Sequence, residues 1–312
     1  MEERITPHLQ NLIRSGSSAI EIQFKIPMQQ EGEGSFESDP LGEELRYSPV
    51  KGLVHKFENR ILWKVSYRCA AHCQFCTRLR QIGSPEGDLT EDDIKRGLEY
   101  VSSHPEIDDV ILSGGDPFVT PQATMHILDG LLVIPTVKVI RVDTRLPIHS
   151  PMSMSSQAVR EVVEKLEAVN NEKAVYILIH VNHADELTEE VKNSIRILRK
   201  TGISLLSQSV FLKDVNDNAQ TLAILFKELY HLRVIPYYIY RCDYAQGLES
   251  FICDLDKERD IMTELRSTLS GIAVPTYVVD VAGRGKIPVP LKYWNVSDLS
   301  KCTDFDGNPI SL

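Results

Sequence analysis

Between residues 61 and 269 the sequence alternates six times between a short strand-like run and a longer stretch with apolar residues at helical spacing. The strand-like runs are Ile61–Tyr67, Asp109–Leu112, Val137–Val142, Val175–Val181, Ser204–Phe211 and Val234–Tyr240. Helical patterns cover Thr90–Ser103, Pro121–Leu131, Ser155–Ala168, Thr188–Thr201, Ala219–Leu232 and Leu255–Leu269. Strands separated by helix-length segments cannot pair as tight hairpins. They form a parallel sheet with the helices on its outside. The predicted fold class is therefore α/β, and Val274–Asp280 reads as one further strand before a Gly/Pro-punctuated tail. Ahead of the alternation lies a leader, with a short helical pattern at Pro7–Ser15 and a Gly/Ser/Glu-rich loop at Gln29–Glu44. The expected division is a leader (1–60), a core (61–270) and a C-terminal segment (271–312).

The chain has 312 residues, of which 42% are hydrophobic and 25% charged, an ordinary globular composition. A chain of this size buries roughly 75% of its unfolded surface, enough for a core without disulfides. The net charge of −10 argues against nonspecific nucleic-acid binding or an anionic membrane patch. The opening Met1-Glu2-Glu3-Arg4 lacks an apolar signal region, and no run approaches 18 uncharged apolar residues. No membrane span and a cytoplasmic location are expected. Three of the six cysteines crowd into positions 69–76, whereas Cys242, Cys253 and Cys302 are scattered and have no expected catalytic role. Clustering of that kind in a chain without a disulfide framework points to a metal or redox site.

In parallel sheets function collects at the carboxyl ends of the strands. There the sequence places Cys69 to Cys76, Ser113-Gly114-Gly115-Asp116, Asp143-Thr144-Arg145, His180-Val181-Asn182-His183, Gln208, Tyr240 and Asp243. The C-x3-C-x2-C spacing of Cys69, Cys73 and Cys76 suits three irons of a [4Fe–4S] cluster, with the fourth iron open to a small molecule. Structural zinc and a thioredoxin-like Cys73–Cys76 pair are the alternatives. The first needs a fourth ligand, and the second leaves Cys69 without a role.

That cysteine run, with Phe75 before its last cysteine, resembles the signature of the radical S-adenosylmethionine superfamily. Ser113-Gly114-Gly115-Asp116 resembles the superfamily's glycine motif. From about Ser48 to Pro290 the chain is similar to the lysine 2,3-aminomutase family. Matching blocks include Gly52-Leu53-Val54-His55-Lys56, Cys76-Thr77-Arg78, Asn182-His183, Gln208-Ser209-Val210, Pro236-Tyr237-Tyr238-Ile239-Tyr240 and Gly285-Lys286-Ile287-Pro288. The resemblance implies a partial (βα)6 TIM-like barrel, with a [4Fe–4S] cluster on Cys69, Cys73 and Cys76. It also implies S-adenosylmethionine against Ser113, Gly114, Gly115, Asp116, Gln208 and Tyr240, and pyridoxal phosphate as a third cofactor.

By default Lys286, in a glycine-rich loop, is a solvated surface lysine; the resemblance makes it the lysine that carries pyridoxal phosphate. The glycine run around it is one residue shorter than the family's and includes Arg284. Lys56 and Arg60 occupy the family's phosphate-anchoring stretch, where Phe57 stands in place of a tyrosine. Asp243 and Asp280, 37 residues apart, match the acids that clasp a substrate ammonium, and Arg78 matches the arginine that holds the α-carboxylate. His180 and His183 are expected to be scaffolding.

An ammonium at one end and a carboxylate at the other describe L-lysine. The implied activity is its isomerisation to β-lysine, an isomerase reaction. An electron donor such as flavodoxin or ferredoxin is the implied partner, and a homodimer the implied assembly. Two settings are open: free-lysine metabolism, favoured by the aspartate pair, and supply of β-lysine to elongation factor P. The second is favoured by the short tail after Lys286 and by the segment 214–220. An aminomutase for glutamate would want a cationic or amide pocket in place of the two aspartates. A nonenzymatic iron–sulfur or zinc scaffold would have no use for Lys286 and Arg78.

Overall fold

The computed structural model describes residues 3–25, 36–44, 46–281, 283–293, 301–303 and 307–311. Positions 29–35 of the expected leader loop, and the side chain of Cys302, lie outside them. Two helices open the described chain, α1 (Pro7–Arg14) and α2 (Ser18–Phe24), followed by the strands β1 (Leu53–Phe57) and β2 (Arg60–Ser66). The alternation then runs α3 (Glu91–Ser103), β3 (Asp109–Gly114), α4 (Pro121–Leu132) and β4 (Val139–Thr144). It continues through α5 (Leu146–His149), α6 (Gln157–Asn170), β5 (Ala174–His180), α7 (Glu189–Arg199), β6 (Ser204–Val210) and α8 (Ala219–His231). Last come β7 (Ile235–Tyr240), α9 (Leu255–Thr268), β8 (Thr276–Val281) and β9 (Gly285–Pro288), with a separate pair β10 (Lys301–Thr303) and β11 (Pro309–Ser311).

The nine strands β1 to β9 form one sheet in chain order. From β2 to β8 every neighbour is parallel, while β1 and β9 fold back antiparallel on β2 and β8. This is the parallel sheet that the strand–helix alternation predicts, curled into the half-barrel that the resemblance implies, with two hairpins added at its edges. Helix starts carry side-chain caps: Thr90 and Asp93 form a capping box on α3, and Thr188, Asn218 and Asp254 cap α7, α8 and α9. Between sheet and helices, Trp63, Leu112, Ile140, Ile177, Leu225 and Phe226 are among the fully buried side chains of one continuous core. Each such side chain removes on the order of 1.5–3 kcal/mol of apolar exposure from water.

The two edge hairpins differ from the sequence expectation. Residue 60, the expected end of the leader, follows the Phe57–Arg60 turn, so the leader contributes a strand to the same sheet. Lys286 lies on β9, paired in register with Asp280, with Gly283 and Gly285 at positive φ in and after the turn. These edge strands, of five and four residues with a lysine in each, are too short to show the alternation that marks the inner strands.

Candidate active site

Successive side chains of a strand point to opposite faces. On β4, Ile140 and Val142 are buried in the core, whereas Arg141 and Asp143 line a cavity of about 570 Å³ on the concave face. The same period brings Ser113 of β3, His180 of β5, Gln208 of β6 and Tyr240 of β7 to that cavity. The loop after β2 adds Cys69, Cys73, Cys76 and Arg78, and the loop after β3 adds Gly115 and Asp116. Asp243 enters after β7, Asp280 from β8, Lys286 from β9, and Lys56 and Arg60 from the first hairpin. Every site residue singled out from the sequence thus borders one cavity, whose volume is typical of small-molecule sites.

No disulfide engages Cys69, Cys73 or Cys76. Burial raises all three thiols, Cys76 to about 11 with Cys73 adding to the push. Among the described residues no three His, Cys, Asp or Glu side chains converge on a single-ion site. Three separate thiols bordering an open cavity instead fit a cluster that each of them meets at its own iron.

Cys73 has a second environment that the sequence did not disclose. Arg145 Nη1 lies 2.9 Å from its sulfur, and His149 Nε2 lies 3.6 Å away. Arg145 is nearly buried, donates through Nη2 to Glu186 at 2.7 Å and Gln23 at 2.8 Å, and sits near the rings of Phe24 and Phe75. Glu186 is fully buried and also accepts the backbone N–H groups of Asn182 and His183. His183 caps the short turn at Ala184–Glu186, whereas His180 reaches the cavity and is held neutral, its pKa pushed by burial and by Arg145 to about 3.

The turn after β3 is packed against backbone. A Cβ on Gly115 would stand 2.2 Å from the Arg68 carbonyl oxygen, so only glycine fits. The N–H of Gly115 donates to Ser66 and that of Asp116 to Arg68. Asp116, expected to meet S-adenosylmethionine, borders the cavity and also serves as a bracket. Its carboxylate accepts from Thr144 Oγ1 and from the N–H groups of Arg145 and Phe118, tying the end of β3 to the end of β4.

At the opposite edge, Asp280 holds two ammonium groups, Lys56 Nζ at 3.5 Å from Oδ1 and Lys286 Nζ at 3.5 Å from Oδ2. Lys286 is 38% exposed. Its Nζ also lies 5.8 Å from the centre of the Tyr240 ring. Lys56 is only 11% exposed and paired, not free as a point charge, while Arg60 stacks on Phe57 at 4.5 Å. Asp243 is pushed up to about 7, first by burial and then by repulsion from Asp280 and Glu43, with Lys286 and Lys56 opposing.

Two cavity carboxylates carry no role in the sequence reading: Asp143, placed there only at a strand end, and Glu43, which it missed. Asp143 is pushed by burial to about 6, and its Oδ1 has no hydrogen-bond partner among the described residues. Glu43 grips Arg78: Nε and Nη2 each donate to it at 2.7 Å. Burial alone would raise the Glu43 pKa, but Arg78, Lys64 and Arg80 hold it at about 2. Alternation along β4 could have signalled Asp143. Nothing local in the sequence links residue 43 to residue 78.

Residues 63–224 match the Radical SAM superfamily. The chain is 35% identical over 294 residues to the L-lysine 2,3-aminomutase of Fusobacterium nucleatum, covering 93% of this chain and 67% of that protein. It is 39% identical over 264 residues to the L-lysine 2,3-aminomutase of Escherichia coli, covering 82% and 73%. A radical SAM methyltransferase structure from Sphaerobacter thermophilus shares the fold, with a TM-score of 0.53 at 16% identity over 74% of this chain and 69% of that one.

Proposed function

Because the chain belongs to the lysine 2,3-aminomutase family of radical S-adenosylmethionine enzymes, we propose that it isomerises L-lysine to β-lysine with the help of pyridoxal phosphate. The observation that carries this reading is one cavity bordered by three thiols, an arginine, and the carboxylates of Asp243 and Asp280. When bound, the [4Fe–4S] cluster, S-adenosylmethionine and pyridoxal phosphate supply the radical initiation and the electron delocalisation that a 1,2-amino shift needs.

The chain's own residues bind and orient. Cys69, Cys73 and Cys76 hold the cluster. Ser113, Gly114, Gly115, Gln208 and Tyr240 border the place of S-adenosylmethionine. The Gly115 and Asp116 N–H groups are engaged internally, so backbone carbonyls are what this turn offers an amino group. Lys286 attaches pyridoxal phosphate, and Arg60 with Lys56 supplies positive charge for its phosphate. Arg78 takes the substrate carboxylate, and Asp243 with Asp280 takes the side-chain ammonium.

A glutamate side chain would meet Asp243 and Asp280 with like charge, which disfavours the glutamate alternative. The same pair reads a free ammonium, so free L-lysine is the substrate both for metabolism and for a supply to elongation factor P. An electron donor of the flavodoxin or ferredoxin class completes the reading. Equilibrium dialysis of the reconstituted protein tests the substrate: L-lysine is retained and L-glutamate is not. Retention of glutamate in preference to lysine would overturn the assignment.

A further inference from the structure

Arg78 is assigned above to the substrate carboxylate, yet it already binds a carboxylate of its own chain. Nε meets Glu43 Oε2 and Nη2 meets Oε1, both at 2.7 Å, with the two side chains 17% and 15% exposed. That is the side edge of the guanidinium. An arginine has five N–H donors in a fixed fork, and the far edge, between Nη1 and Nη2, is a second bidentate face. On that side Ser113 Oγ lies 3.4 Å from Nη1, and the Asp143 carboxylate acts on the guanidinium electrostatically.

Glu43 is itself braced. Its backbone N–H donates to Asp39 Oδ1 at 3.1 Å, and the Glu44 N–H donates to Oδ2 at 3.0 Å. Asp39 and Glu44 in turn pair with Arg80, two residues beyond Arg78. At the other end of this segment Phe36 packs edge-on against Tyr244, and the Gln246 N–H donates to the Glu37 carbonyl. Residues 36–44 therefore bridge from the loop that carries Asp243 to the loop that carries Arg78. Lys64 and Arg80 act on Glu43 as well, so Arg78 is not the only cation that holds this carboxylate.

We infer that Glu43 is a positioning residue for the substrate: it fixes Arg78 by the Nε–Nη2 edge so that the Nη1–Nη2 edge faces the substrate's α-carboxylate. The inference rests on the reading of Arg78 as the carboxylate-binding residue. A guanidinium held on one side loses less conformational freedom when a ligand takes the other, which is preorganisation.

The test compares L-lysine with 1,5-diaminopentane, which keeps both amines and lacks the carboxylate. Binding of each is measured by equilibrium dialysis on the reconstituted wild-type protein, Glu43→Gln and Arg78→Met. Glu43→Gln should weaken L-lysine about tenfold, the scale of a lost charge-assisted hydrogen bond, and leave 1,5-diaminopentane within about twofold. In turnover the loss should fall on KM and not on kcat. Equal or tighter binding of L-lysine would make Glu43 a competitor or a bystander, and equal weakening of both ligands would make it merely structural. Either result overturns the inference. If Arg78→Met leaves the preference for L-lysine over 1,5-diaminopentane unchanged, the role of Arg78 itself is wrong and the inference falls with it.

Discussion

Lys286 and Asp280 face one another as register partners across the β8–β9 hairpin, with Nζ 3.5 Å from Oδ2. Opposed residues in an antiparallel pair share a face, so the ion pair follows from the register. On the proposed function, drawing Lys286 towards a cofactor would free Asp280 Oδ2 for a substrate ammonium while Lys56 stays on Oδ1. Replacing Lys286 by alanine should abolish the absorbance of enzyme-linked pyridoxal phosphate and keep the iron–sulfur shoulder. A Lys286→Ala protein that still shows the linked-cofactor band would remove this lysine from the account.

Substrate binding should depend on pH through Asp243. Its pKa of about 7 reflects burial first and the charge of Asp280 second. Below that value Asp243 is protonated, one negative charge is lost, and L-lysine binding weakens by up to about tenfold per pH unit. Above it the affinity levels off. Asp280→Asn removes the repulsion and leaves Lys56 and Lys286 acting on Asp243, so the midpoint should move down. Affinity measured by dialysis from pH 5.5 to 8.5, as about three units of range, checks both statements. An upward shift in the Asp280→Asn protein would contradict them.

Arg145 is the buried counter-charge of Glu186. Arg145→Met strands a carboxylate that is fully buried, and removing one partner of such a pair costs about 3–5 kcal/mol. Urea unfolding of the cofactor-free protein should show that loss. Adding Glu186→Gln should recover part of it, because the stranded charge is then gone. A single-variant loss below about 1 kcal/mol, the range of an exposed pair, would mean that the pair is solvated.

Close packing at Gly115 should couple the β3 turn to the cysteine loop, since its Cβ position collides with the backbone of Arg68, the neighbour of Cys69. Gly115→Ala should therefore lower iron and sulfide incorporation per chain. Gly271→Ala is the control, because a Cβ there meets nothing within 4 Å. Equal iron content in both variants would separate the glycine turn from the cluster site.

The parts of this structure that were legible in the sequence are those encoded locally. Strand–helix alternation is a periodicity, and it located β2 to β8 and the helices between them. The spacing of Cys69, Cys73 and Cys76 is a short-range pattern, and it survives in the cavity wall. Edge strands β1 and β9 were not visible because four or five residues are too few to establish such a period. The remaining gaps are long-range. Arg145 meets Gln23 across 122 positions, and Glu43 meets Arg78 across 35. Asp116 lies in a recognisable motif, but its work as a bracket depends on Thr144 and Arg145 arriving from the next strand. Among the described residues no helix is long and apolar enough to cross a membrane.

The most direct measurement is anaerobic turnover of L-lysine by the reconstituted protein with S-adenosylmethionine, pyridoxal phosphate and a reductant, followed by chromatography for β-lysine. The account predicts β-lysine from the wild-type protein and none from Cys73→Ala or Asp280→Ala. An intact cluster and bound pyridoxal phosphate with no β-lysine formed would contradict it.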